Sequence, residues 1–172
     1  MKLNLTNNYE LIQFVKSKPL ISIDAVIVGY TEGTGKFKGK AFGALLVALM
    51  NKEKNFVILS NVGTGYTEDF RKELYQKLKK IQADGDKFLN INWVSPKIVI
   101  EVVCEETLVK LRPTFSYKKG YYKRVEDDYG ATLRKPRFVR IRNDKSVNPT
   151  DLRLTQIPSF IQRVKSLQRE GD

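Results

Sequence analysis

The chain alternates short apolar runs with polar, glycine-bearing breaks, and the runs have the length of strands. Ile21–Tyr30 and Phe42–Met50 are dominated by apolar residues, and Phe56–Val62 follows after the polar turn Asn51-Lys-Glu-Lys-Asn55. Apolar runs of this length, bounded by turn chemistry, read as buried strands. The connection Thr31–Lys40 is rich in glycine and lysine, which suits a hairpin. Short polar turns between neighbouring strands predict an antiparallel meander.

One segment changes period. Phe70, Leu74, Leu78 and Ile81 recur at i, i+4, i+8 and i+11 and form a single helical stripe. Thr67 stands where an N-cap belongs, with Glu68 and Asp69 in the first turn and Lys77, Lys79 and Lys80 in the last, the arrangement a helix dipole favours. Asp84-Gly85 is expected to stop the helix. Strands resume at Lys97–Cys104, and a fifth begins at Phe138. Five strands with one helix between the third and fourth is the element order of an OB-fold, a small Greek-key barrel. A short amphipathic helix closes the chain after Pro158, with Phe160, Val164 and Leu167 on one side. The polar interval Glu105–Gly130 reads as an extended hairpin or a mobile insert. Its tyrosines Tyr117, Tyr121 and Tyr122 sit among lysines and could stack on bases, though a plain hairpin is the preferred reading.

Composition narrows the function classes. The chain has 172 residues, 41% hydrophobic, which is enough for one domain with a true core. No apolar run nears the roughly 20 residues that span a bilayer, and the N-terminus has no signal-peptide core, so no membrane role and a cytoplasmic location are expected. The formal charge is +12, from 31 Lys and Arg against 19 Asp and Glu, an excess that favours a polyanionic partner. There is one cysteine, Cys104, and no histidine. A zinc site and histidine-based catalysis are therefore excluded, and Cys104, set among apolar neighbours, is expected to be buried and inert.

The most informative segment is Leu133–Lys145, Leu-Arg-Lys-Pro-Arg-Phe-Val-Arg-Ile-Arg-Asn-Asp-Lys. Extended from Phe138, it places Val139 and Ile141 on one face and Arg140 and Arg142 on the other. Guanidinium groups match phosphate oxygens bidentately. A basic edge strand that discourages aggregation is the bland alternative. The ordered string closely resembles the last motif of the ATP-dependent DNA ligases, Arg-Phe-Pro-Arg-Phe-x-Arg-x-Arg-x-Asp-Lys, and departs from it at Lys135. The resemblance extends, in order, over Asp24-Ala-Val-Ile-Val-Gly29, the glycine and lysine spacing from Gly35 to Gly43, Val62-Gly-Thr-Gly-Tyr-Thr67, Trp93-Val-x-Pro96, and Val99-x-Glu101-Val102. It covers the chain from about Phe14 to the end.

The resemblance implies a division into residues 1–19, holding the end of a nucleotidyltransferase domain, and residues 20–172, an OB-fold DNA-binding domain with a C-terminal helix. It implies that Lys16 and Lys18, in Phe14-Val-Lys-Ser-Lys-Pro19, contact the α-phosphate of ATP or AMP. Arg137 and Arg140 would also bind nucleotide, and Arg142, Asp144 and Lys145 would orient pyrophosphate for departure. Lys36, Lys38 and Lys40, alternating along the predicted hairpin with Phe37, could line one side and track a DNA backbone. The partners implied are nicked double-stranded DNA and an adenylation domain in cis or trans, with the protein monomeric, serving replication or repair. It would act at the nucleoid in a bacterium or archaeon and in the nucleus of a eukaryote. ATP and Mg2+ belong to the complete enzyme, with none bound by this chain alone and no metal site expected here.

One absence limits the activity. Ligases attach AMP to the lysine of a Lys-x-Asp-Gly motif, and the nearest match, Gln82-Ala-Asp-Gly85, has glutamine in that place. The chain alone is expected to be inactive in nick sealing. A stand-alone OB-fold nucleic-acid-binding module derived from a ligase is the alternative. An RNA ligase or capping-type tail is a third, less favoured by the Gly-Thr-Gly and Trp-Val-x-Pro elements.

Overall fold

The computed structural model describes residues 18–171. Among them it has nine strands, β1 (Ile21–Glu32), β2 (Phe42–Met50), β3 (Phe56–Val62), β4 (Asp84–Gly85), β5 (Asn92–Trp93), β6 (Val99–Cys104), β7 (Glu106–Lys118), β8 (Tyr121–Arg134) and β9 (Arg137–Ile141), and two α-helices, α1 (Glu68–Lys80) and α2 (Phe160–Glu170). The five expected strands are β1, β2, β3, β6 and β9, with α1 between the third and fourth as anticipated. The additional strands are the two-residue β4 and β5 and the long hairpin β7–β8.

The sheet order is β4-β8-β7-β3-β2-β1-β6-β9, with β5 paired to β1. β1 serves two partners. Its first half pairs with β6, from Ile21 opposite Cys104 to Val26 opposite Val99. Its second half pairs with β2, from Val26 opposite Ala48 to Glu32 opposite Phe42. Serving both neighbours buries β1 on both faces, which explains why Ala25 to Val28 read as an unbroken apolar run. The curved sheet meets itself where the amide of Phe138 donates to the carbonyl of Thr64 at 2.9 Å, joining the start of β9 to the end of β3. Gly65 makes this approach feasible. Its φ is +102°, and a Cβ there would lie 2.3 Å from the Phe138 carbonyl oxygen.

α1 starts as its sequence requires, with the Thr67 side chain accepting from the amide of Phe70 at 3.1 Å. Leu74 and Leu78 are buried, Phe70 and Ile81 pack at the margin of the core, and Tyr75 is buried as well. Arg71 fixes the helix to the barrel. Its guanidinium donates to the carbonyls of Phe42, Gly43 and Gly63 at 3.1, 2.6 and 2.9 Å, and lies 4.8 Å from the Tyr66 ring centroid. These carbonyls lie at the start of β2 and just past the end of β3, and one arginine binds all three.

The Glu105–Gly130 interval is a hairpin whose turn has positive φ at both Lys119 and Gly120, +50° and +77°, the geometry of a type I′ turn. It lies across the barrel instead of standing away from it. Trp93 stacks on Tyr122 at 4.5 Å and meets Phe115 edge-on at 4.8 Å, and the Tyr122 hydroxyl donates to the carbonyl of Val94 at 2.6 Å. Tyr122 is therefore a core residue and no platform for bases. Tyr117 is half-buried against it, and Tyr121, the exposed member, donates to Asp86 at 2.7 Å. Cys104 is buried as expected, and burial pushes its thiol up to about 11. No helix of the described residues is long and apolar enough to cross a membrane.

Candidate functional site

β9 carries the arginine-rich motif, and a bulge changes its faces. Glu101 pairs with Arg140 and Val102 with Phe138, which leaves Val139 unpaired. The extra residue turns Val139 outward, 45% exposed, while Phe138 and Ile141 face inward. The expected apolar pair Val139 and Ile141 is thus replaced by Phe138 and Ile141. Phe138 anchors the motif by stacking on Tyr66 and Phe70, both at 4.9 Å.

The arginines do not project freely. Asp24 on β1 lies directly opposite Glu101 on β6, which lies opposite Arg140 on β9. Two carboxylates facing each other across strands repel, and the arginines offset this. Arg140 Nε donates to Glu101 at 2.8 Å. Arg142 Nη1 donates to Asp24 at 3.0 Å, while its Nε and Nη2 form a fork on Asp144 at 3.0 and 2.9 Å. Glu101 also accepts from the Ser22 hydroxyl at 2.7 Å; that bond, then the one from Arg140, lowers its pKa. The Arg142 fork holds the Asp144 carboxyl well below its usual range, and Asp144 in turn reinforces the Arg142 charge.

These pairs leave donors unused. A guanidinium has five N–H groups. Three of those on Arg142 are engaged and two remain, one on each terminal nitrogen. Arg140 uses only its Nε. Among the described residues Arg137 and Lys145 have no carboxylate at ion-pair distance. The set is a row of oriented cations, two held by acids and two unpaired.

The remaining predicted residues lie elsewhere. Lys16 falls outside the described residues. Lys18 is exposed just before β1, and its neighbour Leu20 shares with Arg137 the lining of a 530 Å³ pocket at the seam of β3, β6 and β9. The Lys36–Lys40 segment is no extended hairpin arm. Gly35–Phe37 is a 3-10 turn, so the strand alternation expected of Lys36, Lys38 and Lys40 does not hold. Lys36 is bonded to Glu68 at the start of α1, while Lys38 and Lys40 are exposed. That segment follows Glu32, up to about 27 Å along β1 from Asp24 at strand rise. Among the described residues no group of three or more Cys, Asp or Glu side chains could hold a metal.

Asp24 and Glu101 were missed as partners of this surface, and Arg71 as the side chain that ties α1 to the barrel. The signal for the two acids was present, since each is a lone carboxylate inside an otherwise apolar strand. Arg71 carried none, because an arginine one position after Phe70 on a helix looks solvent-facing.

Residues 38–145 match a family model described as the ATP dependent DNA ligase C terminal region. The chain belongs to that family. This ligase C-terminal region is 37% identical over 134 residues to DNA ligase 1 of Methanosarcina mazei, covering 73% of this chain and 22% of that protein. It is 31% identical over 162 residues to the DNA ligase of Sulfophobococcus zilligii, covering 90% of this chain and 26% of the relative. It therefore spans about a quarter of the length of the curated relatives it matches. Among solved structures, the ligase domain of Mycobacterium tuberculosis LigD superposes with a TM-score of 0.54 at 21% identity, over 76% of this chain and 38% of that one. The OB-fold read from the element order is thus the fold of this ligase region.

Proposed function

We propose that the chain is the OB-fold portion of an ATP-dependent DNA ligase, which binds nicked duplex DNA and assists ATP-dependent adenylylation of a lysine on an adenylation domain. The division at residues 19 and 20 is part of this proposal. The observation that carries it is the state of Arg142. Its main chain is held by a hydrogen bond from its amide to the Val99 carbonyl at 2.8 Å, its side chain by Asp24 and Asp144, and two N–H groups are still free. A cation oriented in advance stabilises charge that appears as pyrophosphate departs, without reorganising at that moment.

Each chemistry-bearing residue has a distinct part. Arg142 presents its two spare donors to phosphate oxygens, and Asp144 keeps the guanidinium plane fixed. Lys145, one residue on, adds an unpaired positive charge. Arg137, beside the seam pocket, and Arg140, with unused donors, reach neighbouring phosphate oxygens. Lys18 and Lys16 approach the nucleotide from the chain that leads into β1. Lys36, Lys38 and Lys40 meet the duplex backbone, which places the chain on DNA during replication or repair. ATP and magnesium enter with the adenylation domain, and this chain supplies no nucleophilic lysine.

A stand-alone nucleic-acid-binding module is the second reading, favoured by the fact that Arg140 and Arg142 neutralise facing carboxylates and so have a structural reason to exist. Lys145 separates the two. With an adenylation domain supplied in trans, ATP and magnesium, Lys145→Ala is expected to slow lysine adenylylation at least tenfold and leave nicked-duplex affinity within twofold. Replacing Lys36, Lys38 and Lys40 with Gln is expected to do the reverse. A wild-type chain that fails to stimulate adenylylation, or equal effects of both variants in both assays, would refute the ligase reading. Appearance of AMP on the chain alone would refute its dependence on a partner domain.

A further inference from the structure

The arginine-rich strand is where charge is most dense in sequence, yet its cations are largely matched by acids. Arg134 meets Glu106, Lys135 meets Glu105, Arg140 meets Glu101, and Arg142 meets Asp24 and Asp144. Among the described residues only Arg137 and Lys145 stay unpaired there, so a chain with a formal charge of +12 carries further unmatched charge elsewhere. A concentration of it lies where the end of α1 meets the tip of the β7–β8 hairpin. The meeting is built from backbone. The Asp84 amide donates to the Gly120 carbonyl at 3.0 Å, and β4 pairs in parallel with β8, Asp84 opposite Tyr121 and Gly85 opposite Tyr122.

This pairing gathers two lysine groups distant in sequence. Lys77, Lys79 and Lys80 end α1, and Lys118, Lys119 and Lys123 surround the hairpin turn; all six are exposed. None has a carboxylate at ion-pair distance among the described residues. Lys80 and Asp84 are four residues apart, so their Cα atoms lie within about 14 Å. At the junction, beside the hairpin tip, is a polar depression of about 450 Å³ lined by Gln82, Asp84, Asn92, Lys119 and Gly120. Asp84 and Asp86 are the local acids, and Asp86 is occupied by the Tyr121 hydroxyl and the Arg124 amide at 2.7 Å each.

Charge is also segregated along the hairpin. Glu126, Asp127 and Asp128 follow the lysine-bearing tip on β8 and border a second depression with Glu53. A polyanion can therefore meet the tip but is repelled by the strand behind it. Duplex DNA carries one charge per roughly 1.7 Å of axis, and neutralising it releases counterions. Exposed lysines without internal partners are point charges suited to such contacts, which need no fixed geometry.

We infer that the junction of the α1 C-terminus and the β7–β8 tip is a second duplex-binding surface, gripping the phosphate backbone beyond the Lys36–Lys40 segment at the other end of α1. This rests on the DNA-binding reading above. α1 spans about 20 Å at helical rise, so the two lysine groups contact phosphates well separated along one duplex.

The test uses the full chain and a labelled nicked duplex, with anisotropy measured across a NaCl series. The variant Lys118→Gln/Lys119→Gln/Lys123→Gln is expected to weaken binding at least tenfold at low salt. It should flatten the slope of log Kd against log salt by about 0.9 for each lost contact. Lys77→Gln/Lys80→Gln, on a different element, is expected to weaken it in the same manner. Wild-type affinity and slope in both variants would overturn the inference while leaving the DNA-binding reading intact. Absence of duplex binding by the wild-type chain would overturn both. Retained duplex binding with lost binding of polyglutamate would assign the surface to an acidic protein and equally overturn it.

Discussion

Gln156 clasps the backbone of Asp24 from 132 residues away. Its Oε1 accepts from the Asp24 amide at 2.8 Å, and its Nε2 donates to the Asp24 carbonyl at 3.0 Å. β1 pairs with β6 at this point on one edge, and β2 reaches the other edge only from Val26 onward. The side-chain amide thus stands in for a missing strand. The same Asp24 receives Arg142, so the segment after β9 and the motif on β9 converge on one residue of β1.

Loss of this clasp is expected to loosen β1 beside the motif. Gln156→Ala leaves a backbone donor and acceptor without partners, at about 1–3 kcal/mol. Urea denaturation should show the loss, and unchanged stability would argue that the clasp is not maintained in solution.

Arg142→Ala is expected to destabilise the chain as well as impair any phosphate chemistry. It leaves Asp24 facing Glu101 with only Arg140 to offset them, and a carboxylate that loses its partner while facing another destabilises the fold, a loss that urea denaturation should read. The double variant Arg142→Ala/Asp24→Asn should recover much of that stability by removing the repulsion. A double-mutant cycle with no coupling between the two positions would contradict the geometry described.

Acid should reveal the same network. Glu101 and Asp144 have lowered pKa values, so their contribution is complete above the ordinary carboxylate range near pH 4. It drains away as pH falls through their lowered folded values. Glu101→Gln should therefore give a shallower loss of stability below about pH 4 than wild type. An unchanged slope would show that other carboxylates govern acid unfolding.

Gly65→Ala should open the barrel seam. The new Cβ would meet the Phe138 carbonyl oxygen in a left-handed conformation already unfavourable for alanine, at about 1–3 kcal/mol or more. Hydrogen exchange at the Phe138 amide should accelerate in this variant, and wild-type protection there would refute the claim.

Cys104 offers a probe of global opening. Its buried thiol, pushed up to about 11, should react with a disulfide reagent at pH 8 only as fast as the chain unfolds. Rapid stoichiometric labelling of the folded chain would mean that β6 is not held as described.

The periodicities at Ile21–Tyr30 and at Phe70–Ile81, the glycine breaks and the ordered arginine string were enough to read a five-stranded barrel with one helix and to recognise the ligase motifs. These are local features, because strand alternation, helix caps and turn chemistry depend on neighbours in sequence. The inward face of β9 was misread because a bulge at Val139 depends on how β9 meets β6, which no residue of β9 announces. The pairing state of Arg140 and Arg142 depended on Asp24 and Glu101, brought beside them only by strand register. The lysines of α1 and of the hairpin tip are distant in sequence and come together only because β4 pairs with β8. The sequence by itself determined which charges exist and which elements bear them. Only the tertiary structure decided which charges are neutralised, because Coulombic partners are set by distances in space.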